Sequence, residues 1–180
     1  MSLEMCDNVR LALEQTDNGQ ALKMIRAVIT SERIFVVGTG RSALVGKFFA
    51  RRLVDLTLDA YVVGETITPA SRVTDCIVAI SGSGESTYTL NTVEIGKNVG
   101  AKVVAITTYP ESALGSTADT IIVIPGRLLE VGTHQDFLIR QIRGSSEVFS
   151  PHSGVFELTT AIFLETVVRA LGHKMRRRQS

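Results

Sequence analysis

The stretch AISGSGEST, residues 79–87, decides the fold. An apolar strand end, Val78-Ala79-Ile80, runs straight into Ser81, Gly82, Ser83, Gly84, Glu85, Ser86 and Thr87, and helical spacing resumes from about Glu85 to Asn98. A strand that gives way to glycines and hydroxyls and then to a helix gathers backbone N–H groups at the positive end of that helix, beyond the strand's carboxyl end. That chemistry suits an anion, and a phosphate best. The lysine of a G-x-x-x-x-G-K-[ST] loop is missing, which argues against a nucleoside triphosphatase. A plain glycine turn with a serine cap is the competing reading. The density of hydroxyls after a central strand weighs against it.

Outward from this loop, short apolar strands recur at Arg33–Val37, Ala60–Val63, Cys76–Ile80, Lys102–Thr107 and Thr120–Ile124. Between them lie segments with apolar residues at three- and four-residue spacing, such as SALVGKFFARRLVDL after Arg41, and a short helix is expected from Glu111. Five continuous apolar strands separated mainly by helices imply a buried parallel sheet, hence an α/β fold. Two amphipathic helices precede the first strand, around residues 8–15 and 21–29. The periodicity fails from Pro125 to Pro151 and returns in VFELTTAIFLETVVRAL. We therefore expect one domain over 1–180: N-terminal helices over about 3–30, an α/β core over about 31–124, a connection over 125–153 and a C-terminal helix over about 154–172.

Composition narrows the function. The chain has 180 residues, 44% of them hydrophobic, enough for a layered core, and 19 Lys+Arg against 18 Asp+Glu leave a formal net charge of only +1. No whole-molecule field recruits nucleic acid or an anionic membrane. No apolar run approaches the roughly 18 residues of a membrane span. Glu4 and Asp7 fall where a secretory signal needs a basic start, so a cytoplasmic protein is expected. Cys6 and Cys76 share no metal-type spacing, and His134, His152 and His173 are dispersed, so no metal is expected. Arg176-Arg177-Arg178 complement the negative end of the last helix.

A second loop, Gly38-Thr39-Gly40-Arg41-Ser42-Ala43, matches the relaxed dinucleotide pattern G-x-G-x-x-[GA], with Asp59 or Glu65 at a tolerable distance. Nicotinamide binding is the competing class here. Glycine also serves packing at many strand–helix junctions, and the pattern leaves the serine loop unexplained.

Taken together, Gly38–Ser42 (GTGRS), Gly64–Pro69 (GETITP), Ser81–Ser86 (SGSGES) and Phe156-Glu157 resemble the sugar isomerase (SIS) domain family, and within it the 6-phospho-3-hexuloisomerases. The likeness spans roughly residues 30–172. It implies a three-layer α/β/α sandwich around a five-stranded parallel sheet, with no cofactor, and a homotetramer, with a dimer as the smaller alternative. It also implies a sugar-phosphate substrate whose phosphate is cradled by Ser81, Gly82, Ser83, Gly84, Glu85 and Ser86. Ser42 would contact substrate and Glu157 would be the proton-transferring base. The chain departs from the family in reading Pro151-His152-Ser153-Gly154-Val155 before Phe156-Glu157, and in lacking a histidine-containing tail. His152 is thus a second candidate for moving protons between O2 and O3, against the plain reading of a solvent-facing loop histidine.

The residues support such a reaction. Interconverting a 3-ketose and a 2-ketose phosphate takes a proton from C2 and returns one to C3 through a 2,3-enediolate, and one carboxylate serves both steps. Glu157 has a bland alternative, a first-turn carboxylate favoured by the helix dipole. Arg41 has two readings, neutralising phosphate or joining an ion pair at a subunit boundary. Glu65 and Thr66 are candidate substrate contacts, against turn chemistry ahead of Pro69. A sugar-phosphate sensor without chemistry is the remaining class. Only about thirty residues precede the first strand, fewer than an independent DNA-binding domain needs, which favours an enzyme.

Overall fold

The computed structural model describes residues 2–126 and 154–179. The elements run α1 (Ser2–Glu14), α2 (Asn18–Ile29), β1 (Arg33–Gly38), α3 (Arg41–Asp55), β2 (Asp59–Val62), β3 (Cys76–Ile80), α4 (Thr87–Val99), β4 (Lys102–Thr107), α5 (Ala113–Thr117), β5 (Thr120–Val123) and α6 (Val155–Gln179). The strands form one five-stranded sheet in the order β2-β1-β3-β4-β5, and every pair is parallel. The parallel sheet expected from the apolar runs is therefore present. Apart from Pro125 and Gly126, the expected connection over 125–153 lies outside the described residues, and His152 with it.

Successive side chains on a strand point to opposite faces, and both faces here are apolar. Ile34, Val36, Cys76, Val78, Ile80, Val104, Ile106, Ile122 and Ile124 meet α2, α3 and α6. Phe35, Val37, Ile77, Ala79, Val103 and Ala105 meet Val93 of α4 and Leu114 of α5. Helices thus cover both faces, giving three layers. At the amino ends of β1 and β3, fully buried Asp75 takes a fork from Arg33, with Nε at 3.1 Å and Nη2 at 2.7 Å. That pair binds together the rim opposite the glycine loops.

Most boundaries fall within about two residues of the sequence expectation, and two of the differences have a structural reason. The last helix continues to Gln179 rather than stopping near 172, because Gly172 allows close approach to Leu56 and the following Lys, Met and Arg residues are good helix formers. The short helix begins at Ala113 rather than Glu111, since the Ser112 hydroxyl accepts from Gly115 N–H and caps it.

Candidate functional site

The site begins with register. Gly38, the last residue of β1, pairs with Ile80, the last of β3, so the two glycine loops leave the sheet side by side at the same height. Gly38 has to lack a side chain, because a Cβ there would stand 3.0 Å from the Ile80 carbonyl oxygen and 3.1 Å from the Ser42 carbonyl carbon. Gly40 then turns the chain into α3 at φ 56° and ψ −128°, a conformation open to glycine. The Thr39 and Ser86 hydroxyls lie 3.1 Å apart, which joins the first loop to the second.

Within the second loop the serines divide the work. Ser81 is buried, its N–H donating to Ile106 O at 3.0 Å and its Oγ accepting from Gly84 N–H at 3.1 Å. Buried Ser86 turns its hydroxyl towards Thr39 and Thr89 and makes no side-chain cap on α4. Ser83 is half-buried, and its Oγ accepts from Glu85 N–H at 3.3 Å. Glu85 Oε1 accepts from Ala113 N–H at 2.9 Å and Gly84 O accepts from Leu114 N–H at 3.0 Å, so α5 braces the turn from behind. The N–H groups of Gly82, Ser83 and Ser86 take no part in these internal bonds. Amides at the uncapped start of a helix form a cradle for an anion.

The last helix reaches the same rim from the other side. Phe156 packs so closely on Gly82 that a Cβ there would sit 3.2 Å from the ring. The next residue, Glu157, is mostly buried, and its Oε1 lies 3.0 Å from Arg41 Nε. Three contacts, Ser86 with Thr39, Arg41 with Glu157 and Phe156 with Gly82, therefore tie the two loops and the start of α6 together through short stretches of chain. Arg41, for which the sequence left two readings open, has an intrachain carboxylate partner in Glu157. Ser42 is buried in the first turn of α3.

Glu65 and Thr66 lie farther round. Both are exposed, and Glu65 Oε1 sits 2.6 Å from Lys47 Nζ. Thr68 donates its hydroxyl to Val62 O at 2.6 Å, which is turn chemistry. Beside them a cavity of about 240 Å³ opens at the carboxyl ends of β1 and β2, lined by Gly38, Lys47, Val63, Gly64, Glu65 and Tyr88. The Ser81–Ser86 turn does not line it. Tyr88, the second residue of α4, lines this cavity from the helix that follows the turn. Lys47 and Tyr88 belong to no motif, so spacing alone gave no signal for either. Among the described residues, no group of three or more His, Cys, Asp or Glu could hold a metal ion, and no helix is long and apolar enough to cross a membrane.

The family model of the SIS domain matches residues 28–127. A 3-hexulose-6-phosphate isomerase of Bacillus subtilis is 32% identical over 171 residues, covering 95% of this chain and 87% of the relative. One from Methylomonas aminofaciens is 33% identical over 159 residues, covering 88% and 81%. A crystal structure from Methanococcus jannaschii, from which a molecular function of 3-hexulose-6-phosphate isomerase was inferred, matches with a TM-score of 0.74 at 26% identity, covering 96% of this chain and 89% of that one.

Proposed function

Since the chain belongs to the SIS domain family, we propose that it is a sugar-phosphate isomerase interconverting D-arabino-hex-3-ulose 6-phosphate and fructose 6-phosphate. The observation that supports this reading is that Phe156 packs on Gly82 while its neighbour Glu157 pairs with Arg41, at the rim where both glycine loops leave the sheet. The cradle of Gly82, Ser83 and Ser86 amides holds the phosphate, with the Ser83 hydroxyl at its edge. Ser81, Gly84 and Glu85 shape the cradle, and Ser42 is a proposed substrate contact.

Glu157 is the base. It takes the C2 proton of the 3-ketose, the electron pair forms the 2,3-enediolate, and the carboxylic acid returns a proton to C3. Meanwhile the proton on O2 leaves and O3 gains one, so the carbonyl moves from C3 to C2 with no net change in composition. Loop amides and hydroxyls stabilise charge on the enediolate oxygens. His152 is the proposed carrier between O2 and O3, and Glu65 and Thr66 are proposed contacts to the far end of the sugar. The reaction needs no redox cofactor.

We further propose a single domain over 1–180, a cytoplasmic location in keeping with free Cys6 and Cys76, and a homotetramer. Exposed Leu44 and Phe48 on α3 and exposed Leu158 and Ile162 on α6 support the assembly. These two helices are neighbours, joined by the Arg41–Glu157 and Arg52–Glu165 pairs.

The test mixes the protein with fructose 6-phosphate in deuterated water and follows the sugar by NMR. Deuterium at C3 with appearance of the 3-ketose supports the assignment. Exchange at C1 with aldose formation redirects it to another phosphosugar, and binding without exchange favours a sensor. Glu157→Gln that turns over at the wild-type rate while folded removes the base.

A further inference from the structure

Arg41 occupies a position that helix electrostatics disfavours: a cation in the first turn of α3, at the positive end of the helix dipole, following a glycine that makes no side-chain cap. Its guanidinium Nε reaches Glu157 Oε1 at 3.0 Å, and Glu157 belongs to the first turn of α6. The two partners differ in exposure, with the Arg41 side chain 60% exposed and that of Glu157 17%. The arginine therefore lies on the solvent side of the carboxylate, while Phe156, one residue before Glu157, anchors the start of α6 on Gly82 of the phosphate cradle.

From this geometry we infer that Arg41 is a positioning residue that acts through Glu157 rather than on the substrate phosphate, an inference that rests on Glu157 being the base. A glutamate side chain has three rotatable bonds, and an ion pair with a planar guanidinium removes most of that freedom. The reaction rewards such a clamp. C2 and C3 are bonded neighbours about 1.5 Å apart, so a carboxylate aimed between them serves both without swinging, whereas a misplacement of about 1 Å costs roughly 10²-fold in rate.

The experiment measures kcat and KM for fructose 6-phosphate with Arg41→Gln, Arg41→Lys, Glu157→Gln and the double variant Arg41→Gln/Glu157→Gln. Thermal unfolding checks that each is folded. We expect Arg41→Gln to lower kcat by roughly 10²-fold with KM and competitive inhibition by inorganic phosphate little changed. Arg41→Lys should be intermediate, and added guanidinium should restore turnover to Arg41→Ala. The double variant should be no slower than Glu157→Gln alone. A rise in KM and loss of phosphate inhibition at unchanged kcat would assign Arg41 to the phosphate and overturn the inference, as would a further loss when Arg41→Gln is added to Glu157→Gln. Wild-type turnover by Glu157→Gln would remove the base itself, a failure distinct from one in which Glu157→Gln is inactive and Arg41→Gln is normal.

Discussion

The ring of Phe156 closes over Gly82, with so little room that a methyl group on that glycine would stand 3.2 Å from Cδ1 of the ring. The last helix is thereby seated directly on the Ser81–Ser86 turn, the proposed phosphate cradle. Phe156→Ala should destabilise the protein by about 3–5 kcal/mol, the usual loss for a core phenylalanine, and should weaken inorganic phosphate binding as well. Urea unfolding and calorimetry measure the two effects. Loss of stability with unchanged phosphate affinity would mean that the seat and the cradle are independent.

Gly84 occupies a left-handed conformation at φ 70°, and a Cβ there would coincide with the Ser112 hydroxyl. Gly84→Ala meets both obstacles. The backbone alone costs about 1–2 kcal/mol, and moving Ser112 also disturbs the cap of α5. The expected outcome is a lower melting temperature together with a raised KM, because Gly84 shapes the turn whose amides are proposed to hold phosphate.

Along the seam between α3 and α6, Arg52 gives Nε and Nη2 to Glu165 at 2.9 and 2.7 Å and Nη1 to Asp55 at 2.9 Å. Hydrogen bonding from Arg52 holds the carboxyls of Glu165 and Asp55 below their ordinary range, against a smaller opposing effect of burial. A carboxylate with a depressed folded-state pKa stabilises the protein above its unfolded value, about 4.3 for glutamate and 3.9 for aspartate, and that contribution is lost as the pH falls through the folded value. Glu165→Gln should therefore lose less melting temperature than wild type between about pH 6 and about pH 3. Equal losses would show that this seam contributes nothing to acid sensitivity.

Burial pushes the Cys76 thiol up to about 12, whereas Cys6 is exposed. A thiol reagent near pH 8 should label Cys6 in the native protein and Cys76 only after denaturation. The raised value also has a thermodynamic sign. The stabilisation is fully present below the unfolded pKa of about 8.5 and falls as the pH rises towards the folded value. Cys76→Val should flatten that alkaline decline in urea melts.

Much of the fold was legible because it depends on local pattern. Arg33–Val37 and Cys76–Ile80 read as buried strands from unbroken apolar runs, and α3 from its period, since an element's own side chains carry the signal. The end of α6 was not legible: Gly172 is a helix-stop signal in sequence, yet in the structure it admits Leu56 of another element. In the candidate site, the two glycine loops could be found from residue types, and Phe156-Glu157 from the family resemblance. Which serine hydroxyl serves the turn and which stands at its edge could not, because Ser86 is claimed by Thr39 and Glu85 by Ala113, neither of which is close in sequence.

The sequence by itself determined the alternation of strands and helices and the two glycine loops, because propensity, periodicity and glycine's backbone freedom act over a few residues. Only the tertiary structure decided that Gly38 and Ile80 end level, that α6 returns to rest Phe156 on Gly82, and that Arg41 faces Glu157. Those relations follow from strand order and from helices packing on a twisted sheet, and residues far apart in the chain meet only when the apolar faces between them have been buried.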